Sequence, residues 1–408
     1  MPTFRAHTIV TMAGPPIDNG AVAIEGDRIA AVGPFKEIKA SRGELHDLGE
    51  VVLLPGLINA HCHLDFTSLC GIIAPQRSFA DWIRQINHLR RQQSDDDYLQ
   101  SIARGFAEAQ RWGTTTIANI ESLPHLLDRM PPPLLRIWWF AELIDVQPRS
   151  SIDKMIEDAL ATFRGKENWP GGFGLSPHAP YTASSRLLRA ATRIAHARNL
   201  PLTMHLGESR EEMEMFRHGS GALFDLLRSL GRPLDDCSKG KTPLAVMLDM
   251  NILDERWIVV HLNELTEEDF VRLENGPRFH VAHCPRSGRY FNHSPFPLRR
   301  LRELGFNTAL GTDSLASNSS LSLFAEMQTV RNAHPWLTPK QILEMATING
   351  ARALGQERKL GKIEPGFQAD LIALPIANQS SELFEKIVAW DQAVPSTMAA
   401  GRLTTTAN

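Results

Sequence analysis

The sequence is poor in cysteine. Its 408 residues carry four, Cys62, Cys70, Cys237 and Cys284, and no two form a C-x-x-C pair. Nothing here reads as a disulfide framework, and a reducing cytoplasmic setting is expected. Long apolar runs are missing too. Val51–Leu54 and Trp257–Val260 fall far short of the ~20 residues a membrane helix needs. The stretch Met1–Gly20 lacks the basic start and apolar core of a secretory leader, so no membrane partner is expected. An excess of one charge sign is also absent: 43 Lys and Arg against 46 Asp and Glu leave a formal net charge of −3. Proteins that grip phosphate backbones carry a basic excess or stripe, so no nucleic-acid partner is expected. The pairs Arg90-Arg91 and Arg299-Arg300 read as solvated helix faces. There is no short-period repeat and no low-complexity tract.

What is present is an alternation of strand-like and helix-like segments between two β-rich ends. Phe4–Val10, Ala21–Glu25 and Arg28–Val32 are β-compatible, as are Asp370–Leu374 and Ser396–Ala399. Between them, strand candidates fall at Leu53–His63, Thr114–Ile120, Leu135–Leu143, Gly172–Ser176, Leu202–His205, Trp257–His261, Phe279–Cys284 and Thr308–Asp313. Helical patterns separate most of them, including Ser185–Ala197, Ser209–Phe216, Gly221–Leu230 and Thr266–Leu273. A further helix opens at Ser94, a capping residue with Asp95–Asp97 in its first turn, and stops at Gly113. Eight β-then-α units predict an α/β fold of the (β/α)8 TIM-barrel type, with a doubly wound sheet as the alternative. The two ends are expected to pair into one composite β-sandwich domain (1–55 plus 362–408) around a barrel (56–361).

The chemistry concentrates at strand ends. His61 and His63 stand two apart at the end of the first barrel strand. That spacing places both rings on one face while Cys62 points away. Catalytic groups of such barrels gather at these C-terminal ends. Alone, the pair is equally compatible with structural histidines. His205, His261 and Asp313 recur at later strand ends, each compatible singly with a structural role. Together, His61, His63, His205 and Asp313 make an N3O donor set suited to Zn²⁺, with Fe²⁺ the alternative. Glu208, three residues after His205, can reach the site without ligating; the competing reading is an acid in a helix first turn. Trp82 can stack on a base or simply pack. Trp138-Trp139 reads as core, and Tyr181 either lines a pocket or caps a loop.

Several stretches resemble the amidohydrolase superfamily, in its deaminase and chlorohydrolase branch. They are Leu54–His63 (LPGLINAHCH), Ser176–Tyr181 (SPHAPY), the His205/Glu208 segment, His283–Ser287 (HCPRS), Gly311–Asn318 (GTDSLASN), and Gly361–Gly366 followed by Ala369-Asp370-Leu371. The resemblance implies a barrel with a small composite β-domain and metal ligands His61, His63, His205 and Asp313. It implies proton transfer by Glu208, His261 and Asp313, and substrate contacts from Asp81 and His178. The absence of lysine from Gly171–Pro180 implies one metal rather than a lysine-bridged pair. The context His61–Thr67, with Glu208-Ser209 and Gly219–Gly221, is similar to aminofutalosine deaminases, with methylthioadenosine and adenosylhomocysteine deaminases a near alternative. Two positions depart from the latter: Ala141-Glu142 stands where an arginine is used, and Gly288 where asparagine is usual. The expected activity is hydrolytic deamination of an adenine nucleoside-like heterocycle, and the resemblance implies a homodimer. The alternatives are hydrolysis of another C–N or C–Cl bond (an s-triazine, guanine or a cyclic amide) and an inactive scaffold.

Overall fold

The segment expected as a single strand over Leu53–His63 is two strands, Val52–Pro55 and Leu57–His63, in different sheets. Gly56 divides them. A Cβ there would lie 2.2 Å from the Thr115 side chain, so only glycine allows this close a crossing. The structure is a computed structural model that describes residues 2–38, 44–147, 149, 151–237, 240–376 and 382–405.

The larger sheet has nine strands, all paired in parallel. They are β1 (Leu57–His63), β2 (Thr114–Glu121), β3 (Arg136–Leu143), β4 (Gly171–Pro177), β5 (Leu202–Leu206), β6 (Trp257–His261), β7 (His280–His283), β8 (Asn307–Leu310) and β9 (Asp313–Ser314). Strands β1 to β8 follow chain order across the sheet. β8 pairs with β7, while β9, two residues further along, pairs with β1. One chain segment thus joins both edges of the sheet, as a barrel-like layer requires. Gly311 makes the junction possible, because a Cβ there would sit 2.9 Å from the His61 Cβ.

These strands are buried almost throughout, as expected of parallel strands with both faces covered. Leu57, Ile117, Trp139, Met204 and Val259 face the surrounding helices, whereas Ile58, Ala60, Ala118, Ile120, Phe140, Val260 and Ala309 form a separate cluster inside the sheet. Trp138 joins the inner cluster and Trp139 the outer, so both are core.

The helices start where the sequence places their caps. Ser94 makes a reciprocal capping box with Asp97 ahead of Asp95–Arg111, and Thr266 does so with Asp269 ahead of Glu267–Glu274. Three further helices matter for the site: α1 (Phe79–Arg90), α2 (Arg210–His218) and α3 (Pro285–Tyr290).

The smaller sheet has eight strands drawn from both ends of the chain, ordered Arg402–Thr405, Ser396–Ala399, Leu371–Leu374, Val52–Pro55, Thr3–Ile9, Ile17–Glu25 and Arg28–Pro34, with Leu45–Asp47 also beside Thr3–Ile9. Buried Arg136 of β3 fastens it to the larger sheet through Asp370, at 2.7 Å, and Gln368. Among the described residues no helix is long and apolar enough to cross a membrane.

Candidate metal centre and surrounding pocket

His61 and His63 reach the pocket only because β1 changes phase. Ile58 and Ala60 point inward, but Cys62 and Leu64 pack in the outer cluster. The pairing of β1 with β2 is irregular between Asn59 and Cys62. Such a bulge re-aims the side chains that follow it. Without it, strict alternation from Ile58 would send both imidazoles toward the helices. Asn59 steadies the turn, its Oδ1 accepting from the backbone N–H groups of His61 (3.3 Å) and Thr312 (3.1 Å).

Two other site residues owe their aim to left-handed backbone. His261 has φ of 72° and Asp313 of 56°, conformations that cost free energy in non-glycine residues and gather at functional sites. They end β6 and begin β9.

The result is a buried constellation. His63 Nε2 lies 3.3 Å from His205 Nε2. Asp313 Oδ1 lies 3.5 Å from His61 Nε2 and 3.8 Å from His63 Nε2. Glu208 Oε1 lies 3.5 Å from His261 Nε2. The side chains of His61, His63 and His205 offer nitrogen atoms within 4.8 Å of one another, and Glu208, His261 and Asp313 form a second such group. Among the described residues, neither nitrogen of His61 has a hydrogen-bond partner, nor has His261 Nε2 or His63 Nδ1. Leaving several buried polar atoms unpaired is costly, and a divalent cation would satisfy the inward-facing ones. His205 Nδ1 is held 3.0 Å from the His178 carbonyl oxygen, which turns Nε2 toward the centre.

Electrostatics supports the same fit. Burial, reinforced by neighbouring imidazoles, pushes His63, His178, His205 and His261 below the usual histidine range, the neutral form that ligates metal. Burial would raise the Asp313 carboxyl, but His61, His261 and His63 outweigh it and hold Asp313 well below the carboxylate range. Ser287 Oγ (2.6 Å) and Ser317 Oγ (3.2 Å) donate to its Oδ2. Glu208 behaves oppositely: burial pushes it up to about 8, against His205 and with Asp313 adding to the rise. The pocket therefore places a neutral carboxyl beside a charged one.

The pocket, of about 400 Å³, lies at the C-terminal ends of the strands and takes in His63, His205, Glu208, His261 and Asp313. His178 and Trp82 also line it. His178 Nδ1 is 2.7 Å from Thr182 Oγ1. Trp82 is held edge-on against Phe291, ring centroids 4.9 Å apart. Tyr181 lines the pocket and is buried. α1 walls one side and is fastened to α2, Glu211 accepting from the N–H groups of Phe79 (2.7 Å) and Ala80 (3.0 Å).

Two sequence readings need correction. Asp81, expected to contact substrate, is exposed on α1, paired with Arg84 at 2.6 Å, and outside the pocket lining. The helix turns Trp82, Ile83, Ile86 and Arg90 toward the pocket, and Asp81 falls on the other face. Arg90, read as part of a solvated face, lies over the Phe66 ring at 5.1 Å and lines the pocket. Although burial opposes it, Asp65 and then Glu142 raise its pKa. Arg299 and Arg300 do sit at the surface, over Trp336 and Phe270. Gly288 leaves open space: a Cβ there would meet nothing within 4 Å.

Ser287, Ser317 and His293 are site residues that sequence reasoning did not single out, and it gave Arg90 and Glu142, which also line the pocket, no place in the site. The two serines fall inside the HCPRS and GTDSLASN stretches, which offered a signal. His293 lies beyond its motif on the loop after α3, with Nε2 3.6 Å from Glu208 Oε1.

The Amidohydrolase family profile matches residues 52–403. The chain belongs to the amidohydrolase family. An imidazolonepropionase-like composite domain of bacteria also matches, over residues 20–41. The chain is 32% identical to a 5-methylthioadenosine/S-adenosylhomocysteine deaminase of Moorella thermoacetica, across 90% of this chain and 83% of that one. Among solved structures, Helicobacter pylori aminofutalosine deaminase in complex with methylthio-coformycin is similar at a TM-score of 0.86 and 22% identity, covering 99% of this chain and 100% of that one. A Xanthomonas campestris adenosine deaminase with bound zinc is similar at 0.81 and 23%, covering 98% and 92%. At these identities the two structural likenesses establish the amidohydrolase fold.

Proposed function

We propose that this amidohydrolase is a mononuclear metal-dependent deaminase that hydrolyses the exocyclic amine of an adenine nucleoside-like substrate, an aminofutalosine-type nucleoside among the candidates. The observation that carries the reading is geometric: the buried Glu208 carboxyl, 3.5 Å from His261, lines the same pocket as His63, His205 and Asp313, with His61 completing the donor set behind them. The deaminase relatives support it. Residues 56–361 would form the catalytic unit and 1–55 plus 362–408 the accessory domain.

In this reading His61, His63, His205 and Asp313 hold one Zn²⁺, with Fe²⁺ the alternative, and such an ion supplies Lewis acidity that makes water acidic near neutral pH. The remaining steps belong to side chains. Glu208, neutral at rest, protonates the ring nitrogen, which makes the adjacent amidine carbon electrophilic. Asp313 takes a proton from the attacking water as its oxygen bonds to that carbon. His261, kept neutral by burial, stabilises the charge that develops on this oxygen. Asp313 passes that proton on to the exocyclic amine, Glu208 recovers a proton from the new hydroxyl as the carbonyl forms, and ammonia leaves as the C–N bond breaks. His178 and Trp82 contact the substrate, whose base sits among the aromatic side chains of the wall.

The test is ammonia release from a panel of adenosine, methylthioadenosine, adenosylhomocysteine and aminofutalosine by metal-loaded protein. Turnover of at least one is expected. Activity on none of these, with activity on an s-triazine, guanine or a cyclic amide, would overturn the nucleoside reading.

A further inference from the structure

The loop after α3 aims a histidine at Glu208. His293 Nε2 lies 3.6 Å from Glu208 Oε1, the same oxygen that His261 Nε2 approaches at 3.5 Å. The His293 side chain is 5% exposed, and its Nε2 is buried without a hydrogen-bond partner among the described residues. A neutral imidazole with an orphaned nitrogen is costly in such a place. Here the nitrogen faces the carboxyl to which the reaction gives its central proton transfer.

The loop is built to keep the ring there. The His293 N–H donates to the Gly288 carbonyl at 2.9 Å. The next residue, Ser294, donates its N–H (3.1 Å) and Oγ–H (3.0 Å) to Glu264, on the segment after β6. The His293 ring stacks on Phe291, centroids 5.1 Å apart and planes 24° from parallel, and meets Phe79 of α1 edge-on at 5.9 Å. Phe296 stacks on His283 of β7 at 3.9 Å. Hydrogen bonds and ring contacts therefore fix the loop on three sides.

We propose that His293 is a positioning residue for Glu208: its Nε2–H donates to Oε1 and leaves Oε2 to carry the proton to and from the substrate's ring nitrogen. The two imidazoles mark Oε1 as the anchored oxygen, and no side-chain group is hydrogen-bonded to Oε2 among the described residues. Bonds of this kind are long in a substrate-free site and tighten when substrate closes it. The inference rests on the reading of Glu208 as the proton carrier.

The test compares wild-type holoenzyme with His293→Phe, which keeps the stacking ring without its nitrogens, and His293→Gln, whose amide places a donor near the Nε2 position. With a nucleoside that the wild type deaminates, H293F is expected to lower kcat by about 10- to 100-fold, a fraction of what a proton-transfer group contributes. KM should stay within about threefold and metal content should be unchanged. H293Q should recover most of the loss. A phenylalanine variant with wild-type kcat, a glutamine variant no better than phenylalanine, or a raised KM at constant kcat would each overturn the proposal. Crystal structures give a readout free of turnover. The Glu208 carboxyl should hold one orientation toward residue 293 in the wild type and H293Q; an orientation also unchanged in H293F, or lost in H293Q, contradicts the role. If no nucleoside is deaminated, the deaminase reading fails while the structural comparison still judges His293.

Discussion

His63 and His205 face each other through their Nε2 atoms at 3.3 Å, both rings buried and both held toward the neutral form. One neutral ring can donate to the other at this distance, but a shared cation would satisfy both nitrogens and those of His61 beside them. His205→Ala should therefore remove metal rather than unfold the chain, because the ring sits at a pocket wall. Bound metal, by elemental analysis after gel filtration, is expected to fall from one equivalent to less than about a tenth. Activity should fall in parallel, while far-ultraviolet circular dichroism stays unchanged. A variant retaining a full equivalent would remove His205 from the ligand set.

Glu208 differs from the ligands in what its loss should do. Glu208→Gln keeps the shape of the side chain but cannot shuttle a proton. Metal content should remain at one equivalent while kcat drops by at least about 10²-fold, the lower bound for a general acid–base group. Near-wild-type turnover would show that another residue protonates the ring.

Glu326 gives a pH test away from the chemistry. Burial pushes its carboxyl up to about 8, although Arg286 and the Asn318 amide pull the other way. The folded state thus holds its proton across the range in which the unfolded chain, near 4.5, has released it. The contribution of Glu326 to stability then falls as pH rises from about 4.5 to about 8 and levels off above, by up to about 1.4 kcal/mol per pH unit for one such group. Glu121 and Glu212, each raised to about 8 by burial, add to the slope. Because the buried histidines add a slope of the opposite sign, the readout is the difference: the urea midpoint of the wild type relative to Glu326→Gln should fall between pH 5 and 8. Equal slopes would mean that Glu326 ionises normally.

The strand ends were legible in the sequence because the ligating residue types are few and fall where apolar runs stop. His61, His63, His205, His261, Glu208 and Asp313 all converge for that reason. The local geometry that aims them was not legible. The β1 bulge and the positive φ at His261 and Asp313 arise from packing between strands distant in sequence, which no local pattern carries. Asp81 was misplaced for a related reason: its sequence neighbourhood is right, but one residue of helical phase separates it from Trp82 and the pocket. Arg90 looks like a surface charge until Asp65 and Glu142 are brought beside it. The two terminal β-rich segments were readable as strands that pair, but their order in one eight-stranded sheet, with Arg136 bound to Asp370, is a long-range fact.

The most direct measurement is stoichiometric metal titration into chelated, folded protein, with ammonia release from an adenine nucleoside followed at each addition. Turnover is expected to rise linearly and saturate at one equivalent of Zn²⁺ or Fe²⁺, with negligible activity before the first addition. A stripped, folded preparation that works as fast as the loaded one, or a break at two equivalents, would contradict a single ion held by His61, His63, His205 and Asp313.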